Sequence, residues 1–427
     1  MHYDTMSHVE KTQTGRDRFL IRRMHVKNFR SLEDVDISLE PITVFVGPNG
    51  AGKSNVLDSL RFIRDIFTVG LDQAISSRGG IAAIRRWSES GRAYNVTFQV
   101  EVSLGPDTVL YGFTIGGRRK TEYYIAKEYA SLLGTHGNII PLFRRHNTKW
   151  KIHPKRGDLA NVLDNTFKDE GLSFAEFSQS FLDNFPNNDL FLSKGAWLFF
   201  QKHFVELWQH LRQMGFYNLY PNAVREPQKP SNPKPLKEDG SNLASTLKHL
   251  SRIDGGNAKK RVVEYLRQSS YGVSDIEVQQ VGQYLVTKIF RNLGGKHGSK
   301  NSRRATFDLS QESDGTLRLL ALLVALFQLP PLFIIGIEEP ELNIHPGALE
   351  VLRDAVFAAN KTTQILITTH SPILLNEFPS RYFRVVENIH GSTRVGRMAE
   401  HQRKAIEDKL FSAGELLELE GFQRESD

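Results

Sequence analysis

The chain has 427 residues, enough for two or three domains and a sizeable core. It contains no cysteine, which excludes disulfides, Cys-ligated zinc, iron–sulfur clusters and thiol catalysis. The 40% hydrophobic and 24% charged content is ordinary for a soluble globular protein, and the net charge of +7 suits either an acidic partner such as nucleic acid or a plain solvated surface.

Residues 1–18 are polar, lack the apolar stretch of a signal peptide and read as a flexible N-terminal tail. A first lobe is expected over residues 19–130. Within it, Phe19–Leu39 alternates like a β-hairpin, and "PITVFVGPNGAGKSNVLDSLRFI" (Pro41–Ile63) reads as strand, Gly-rich turn and amphipathic helix. Gly47–Ser54 fits G-x-x-x-x-G-K-[ST], a loop whose backbone N–H groups turn inward around phosphates at a positive helix end. The nucleotide-binding stretch is therefore Asn49, Gly50, Ala51, Gly52, Lys53, Ser54 and Asn55. Lys53 lies against the β- and γ-phosphates of ATP and the Ser54 hydroxyl on Mg²⁺. Strands are expected near Asn95–Leu104 and Leu110–Ile115.

Residues 131–280 change character. Aromatic-rich helical patterns ("FAEFSQSFLDNF", "LFFQKHFVELWQHLRQM") lead to the Pro-rich "PNAVREPQKPSNPKP", which together read as a mainly helical insertion. The Pro-rich loop is a rigid connector or a docking strip. A second lobe is expected over 281–395, followed by a C-terminal tail, 396–427. In the second lobe Leu319–Ile337 is apolar enough to suggest a membrane span. Gln328 and the Pro330–Pro331 pair break it into a buried helix, a turn and a strand, so no membrane partner is expected.

That strand ends in Glu338, Glu339 and Glu341, three carboxylates that repel one another and serve no packing purpose. Mg²⁺ brought by ATP is the positive charge they await: Glu338 holds the metal directly or through water, and Glu339 orients and deprotonates the attacking water. Glu341 is assigned to a subunit contact. "QILITTHSP" (Gln364–Pro372) is another apolar strand, and His370 at its end is either a satisfied structural histidine or a hydrogen-bond donor to the γ-phosphate. Ser313, Asp314 and Gly315 start a strongly apolar helix. They form either a plain N-cap or an exposed helix N-terminus that takes a phosphate supplied from elsewhere.

"NFRS…VFVGPNGAGKSN", "SDGTLR", "IEEPE" and "THSP", in that order, resemble the ABC-type ATPase heads of the SMC/RecF/OLD superfamily. The chain is most similar in kind to the compact bacterial AAA-family ATPases of phage-defence operons, Septu-like and retron-associated. The resemblance implies an α/β fold, a P-loop ABC-type head of two lobes with a mixed, partly parallel sheet. It makes Lys53 and Ser54 the Walker A pair, Glu338 and Glu339 the Walker B pair, Ser313–Gly315 the signature that acts in trans, and His370 the switch histidine. Arg30, in "NFRS", would lie near the nucleotide phosphates. Such heads dimerise around ATP, so a homodimer or higher even-numbered oligomer is implied. A cytoplasmic location, a separate nuclease or toxin effector and contact with DNA or RNA are implied too. Two departures stand out: Glu-Glu replaces the usual Asp-Glu at Walker B, and the signature reads Ser-Asp-Gly rather than Ser-Gly-Gly. Gln73 and Gln99 both fit poorly as a glutamine loop.

OLD-type relatives append a TOPRIM nuclease after the switch histidine; Ser371–Asp427 is too short for one, and no Asp-x-Asp follows Glu387, so no nuclease is expected in this chain. Two basic stretches, Arg144–Arg156 and Thr287–Phe307, could contact nucleic acid through charge alone or be solvated hairpin loops. The alternatives are a nucleotide-gated scaffold with little hydrolysis and a RecF-like DNA-repair ATPase. A transporter head fits poorly, because Ser313 lies so far downstream of Gly47.

Overall fold

The computed structural model describes residues 19–88, 93–117, 122–134, 138–152, 185–194, 202–293 and 303–425. The predicted tail 1–18 and nearly all of the aromatic stretch 174–185 lie outside the described residues. Two compact units emerge, one of Met1–Leu39 with Phe62–Arg212 and one of Glu40–Arg61 with Gln213–Asp427. The strands are β1 (Leu20–Phe29), β2 (Leu32–Ser38), β3 (Ile42–Val46), β4 (Val96–Leu104), β5 (Asp107–Gly116), β6 (Tyr124–Leu133), β7 (Ile139–His146) and β8 (Lys149–Ile152). They continue with β9 (Met214–Tyr217), β10 (Val273–Val281), β11 (Tyr284–Leu293), β12 (Arg303–Asp308), β13 (Ile334–Glu338), β14 (Gln364–Thr369), β15 (Phe383–Ile389) and β16 (Ser392–Arg397).

The first unit is an antiparallel sheet in the order β8-β7-β6-β5-β4-β1-β2. The predicted hairpin is β1–β2, with Val26 opposite Val35 and Phe29 opposite Leu32. Alternation turns one face inward, where Phe29, Phe62, Phe98 and Phe113 interlock with ring centroids 5.2–5.7 Å apart. One carboxylate is sealed in this unit. Glu128 is fully buried and accepts hydrogen bonds from the Tyr111 hydroxyl (3.0 Å) and the backbone N–H groups of Phe191 (2.7 Å) and Leu192 (3.0 Å).

The second unit sets β3, β14, β13 and β9 in parallel, in the order β16-β15-β3-β14-β13-β9, with β15 also parallel to β3. β3 and β14 are buried along their whole length, as continuous apolar runs of parallel strands require. Against this sheet packs the helix Asp314–Phe327, every residue of which from Leu317 onward is buried. The apolar stretch 319–337 thus resolves into that buried helix and strand β13. Among the described residues no helix is long and apolar enough to cross a membrane. A separate antiparallel sheet, β10-β11-β12, carries the second basic stretch, of which residues 294–302 lie outside the described residues.

Two expected boundaries are corrected. Residues 131–280 are not one helical insertion: Ile139–Ile152 extends the antiparallel sheet, and Met214–Tyr217 is an edge strand paired with β13. The Pro-rich stretch is likewise built into the second unit, because Gln228 and Asn242 satisfy its buried backbone groups through side-chain hydrogen bonds. Nor is 396–425 a loose tail. Helices Glu400–Glu407 and Ala413–Leu419 form, and Met398, Ala413, Leu416 and Phe422 join the core.

Leu323 is fully buried in the second unit, so Leu323→Ala should cost about 2–5 kcal/mol, read as a lower urea midpoint by circular dichroism. In the first unit, burial pushes the Glu128 carboxyl up to about 7, against hydrogen bonds from Leu192 and Phe191 and the charge of Arg145. A carboxyl raised by folding favours the folded state fully below its unfolded pKa of about 4.3, and that contribution is lost as pH rises through the folded value. The melting midpoint of this unit should therefore fall between roughly pH 5 and pH 8. Glu128→Gln should flatten the slope, and an unchanged slope in that variant would show that another group sets it.

Candidate nucleotide-binding site

The phosphate loop begins where β3 ends. Gly50 and Gly52 take positive φ angles of 77° and 106°, which turn the loop before the helix Lys53–Val69 starts. Its outer wall is the β15–β16 hairpin. The Thr393 hydroxyl donates to the Ala51 carbonyl (2.9 Å) and the Asn388 amide to the Gly50 carbonyl (3.3 Å). A Cβ on Gly47 would lie 2.1 Å from the Val386 carbonyl oxygen, and one on Gly52 would lie 2.0 Å from Thr393 Oγ1. The glycines are thus needed for close approach as well as for the turn. Asn49, Gly50 and Ser54 are exposed, Ala51 and Lys53 are buried, and Gly52 and Asn55 lie between.

Lys53 folds back over its own loop and donates to the carbonyls of Gly47 (2.7 Å) and Pro48 (3.1 Å). Burial pulls its pKa below the usual lysine value, while the carboxylates of Glu339 and Glu341 raise it. Strand topology explains why the front of the chain feels the acidic turn. β3, β14 and β13 are parallel neighbours, so the phosphate loop, His370 and Glu338–Glu339 all leave the same edge of the sheet. Crevices beyond the carboxyl ends of parallel strands are where α/β sheets bind ligands.

Each acid has a distinct setting. Glu338 Oε1 accepts from Arg61 Nη2 at 3.2 Å, and the same guanidinium lies 3.5 Å from Glu238 and 3.8 Å from Asp58. Glu339 has a φ of 44°, a strained setting for a side chain larger than glycine. Its Oε1 meets His370 Nδ1 at 3.2 Å. Glu341 turns back towards the end of β14. It accepts from the Thr369 hydroxyl at 2.5 Å, its other oxygen is buried without a hydrogen-bond partner, and burial raises its carboxyl above the usual range.

Arg318 ties the acids to the helix Asp314–Phe327. This side chain, 3% exposed, donates to the carbonyls of Leu219 (2.6 Å), Glu339 (2.8 Å) and Glu338 (3.4 Å). Ser313 caps the helix by accepting from the Thr316 N–H at 3.3 Å. Gly315 is fixed by contact, since a Cβ there would lie 2.4 Å from the Asn343 carbonyl oxygen of the turn after β13. Asp314 is bound by Arg225, which also donates to the carbonyls of Ser310 and Glu312, so the acid at the helix start is matched by a cation. Arg30 lies in the first unit, at the β1–β2 turn with a φ of 49°, its N–H bonded to Ile84. Gln73 is on a short helix of that unit, and Gln99 accepts from the Tyr129 hydroxyl.

Sequence reasoning missed Arg61, Arg225 and Arg318. Arg318 carried a usable signal, a lone charge in an otherwise apolar helix whose burial requires partners. Arg61 and Arg225 carried none, because the acids that accept their hydrogen bonds, Glu338 and Asp314, lie far away in sequence. Arg318→Met should take a donor from the buried Leu219 carbonyl and the partly buried carbonyls of Glu338 and Glu339, at about 1–3 kcal/mol for a buried one left fully unpaired. The melting midpoint should drop by several degrees, with Arg318→Lys, a single point donor, recovering part of it. Unchanged melting in Arg318→Met would contradict this role.

Against known proteins, a family profile described as "AAA domain, putative AbiEii toxin, Type IV TA system" matches residues 42–376. The Old nuclease of Escherichia phage P2 is 22% identical over 407 residues, covering 90% of this chain and 61% of that protein. The DNA replication and repair protein RecF of Clavibacter sepedonicus is 28% identical over 116 residues, 26% of this chain and 28% of that one. In both relatives the match spans less than two thirds of the relative's own length. Among solved structures, an SMC head bound to the C-winged helix domain of ScpA aligns with a TM-score of 0.46 at 13% identity, covering 90% of this chain and 99% of that one. The chain belongs to this AAA domain family.

Proposed function

We propose that the chain binds ATP with Mg²⁺, hydrolyses it, and uses the bound nucleotide to join two heads. The carrying observation is the convergence of Lys53, Glu339 and His370 at the carboxyl edge of β3, β14 and β13. The loop N–H groups from Asn49 to Asn55 and the Lys53 ammonium bind the phosphates, with Lys53 exchanging its two loop carbonyls for phosphate oxygens. Ser54 and Glu338 would hold the metal, which supplies positive charge to the phosphates. The donor set fits a hard cation: a hydroxyl and a carboxylate, with the unpartnered Glu341 oxygen nearby. Among the described residues no cluster of three ligating side chains forms a cage of its own, in keeping with an ion that arrives on substrate phosphates.

Glu339 acts as the base. It takes a proton as a water oxygen attacks the γ-phosphorus, and ADP leaves. His370 orients that carboxylate from 3.2 Å and faces the γ-phosphate. Arg30 adds charge near the phosphates on the strength of the family resemblance. Ser313–Gly315 of each head receives the γ-phosphate held by the other, giving a homodimer or higher even-numbered oligomer. Arg225 offsets the Asp314 charge, so the Ser-Asp-Gly signature still presents a helix N-terminus fit for an anion. In the cell such a switch would control a separate nuclease or toxin in antiphage defence, with DNA or RNA as the signal or scaffold. The phage P2 Old and RecF similarities support a nucleic-acid setting.

A second reading has its own support. With Glu338 engaged by Arg61 and Glu339 by His370, slow basal turnover is expected, as in a nucleotide-gated scaffold. Phosphate release with and without DNA separates the two. Glu339→Gln should cut turnover by 10² or more while ATP binding persists and a dimer accumulates in size-exclusion light scattering. Lys53→Ala should lose nucleotide binding outright. Wild-type turnover in Glu339→Gln would remove the assigned base.

A further inference from the structure

A cavity of about 280 Å³ lies in the second unit at the edge of the sheet opposite the phosphate loop. β3 runs from Ile42 into the loop, and β15 runs parallel to it from Phe383, so Glu40 and the turn Ser380–Tyr382 mark the far edge. Four guanidinium groups line the cavity: Arg381 from the turn, Arg384 from β15, Arg397 from β16 and Arg403 from the helix Glu400–Glu407. Three carboxylates line it as well, Glu40, Glu400 and Glu425.

The acids do not balance the cations. Glu40 takes Arg384 at 3.3 Å, and Glu400 is held by Lys404 at 2.9 Å. Arg403 has Glu407 at 3.0 Å. Among the described residues no carboxylate reaches ion-pair distance of Arg397 or Arg381; Arg381 instead lies 4.8 Å over the Tyr382 ring. Arg397 also stands directly across the strand pair from Arg384. Like charges in that position destabilise a sheet. Arg384 is 2% exposed and oriented by hydrogen bonds to the carbonyls of Arg381 and Phe383, an expensive placement for a cation. The arrangement is one that an incoming anion would complete.

We infer that this cavity binds the phosphate of a small phosphorylated ligand, a phosphomonoester of mononucleotide size, at a second site independent of the phosphate loop. Guanidinium forks converge from a turn, two strands and a helix, which suits the tetrahedral oxygens of phosphate better than a planar carboxylate. The volume exceeds that of the anion alone, and Phe383 and Met398 provide an apolar wall for an organic body. Arg397 and Arg381 take the phosphate, while Arg384 holds the floor.

The test is calorimetric titration of the full chain carrying Lys53→Ala, which silences the phosphate loop, with inorganic phosphate, adenosine monophosphate and a short single-stranded oligonucleotide. Adenosine monophosphate should bind with 1:1 stoichiometry and phosphate more weakly. Arg397→Glu, at an exposed position, should weaken both at least tenfold. Lys361→Glu, a charge change at another exposed position, should leave both unchanged. Three outcomes would overturn the inference: no heat from phosphate or adenosine monophosphate at millimolar concentration, equal losses in both variants, or binding of the oligonucleotide alone. Melting curves of Arg397→Glu confirm that a loss of binding is not a loss of folding.

Discussion

The parallel pairing of β3 with β14, and of β14 with β13, is the constraint on which the second unit depends. Three segments far apart in sequence end at one edge because their strands point the same way. Neither the loop nor the acids form a site alone. Lys53 without the acids is a buried ammonium over two carbonyls, and Glu338, Glu339 and Glu341 without it are mutually repelling charges. Backbone pairing forces these opposite charges together.

The local motifs were legible because each is a continuous run with one physical demand. Gly47–Ser54 needs glycine for the turn and for contact with Val386 and Thr393, and the apolar strands before Gly47 and Glu338 need burial. The Phe19–Leu39 hairpin showed in its alternation for the same reason. What escaped was long-range. β9 is four residues long, and only its pairing with β13 makes it a strand, so residues 131–280 read as helical. The contact of Glu341 with Thr369 also escaped, because sequence does not show which residues after β13 turn back towards β14.

The glutamate pair that the resemblance sets at Walker B also has a physical setting. A glutamate is one methylene longer than the aspartate usual there, and Glu338 spends that reach on Arg61, which bridges it to Glu238 and Asp58. The signature helix is braced to the same turn twice, by Gly315 against Asn343 and by Arg318 against the carbonyls of Glu338 and Glu339. A push on the helix N-terminus therefore reaches Glu338 and Glu339 through contacts within one packed core.

The second unit is discontinuous, and this shapes its birth. Glu40–Arg61 leaves the ribosome early, yet the partners of β3 are β14 and β15, more than three hundred residues later. During synthesis the apolar run Ile42–Val46 has unsatisfied edges on both sides, the condition under which nascent chains aggregate or recruit chaperones. Closing so long a loop is also slow. The edge that gathers the glycine loop, the acidic turn and His370 is thus among the last features to form, so that nascent or truncated chains ending before β14 lack it.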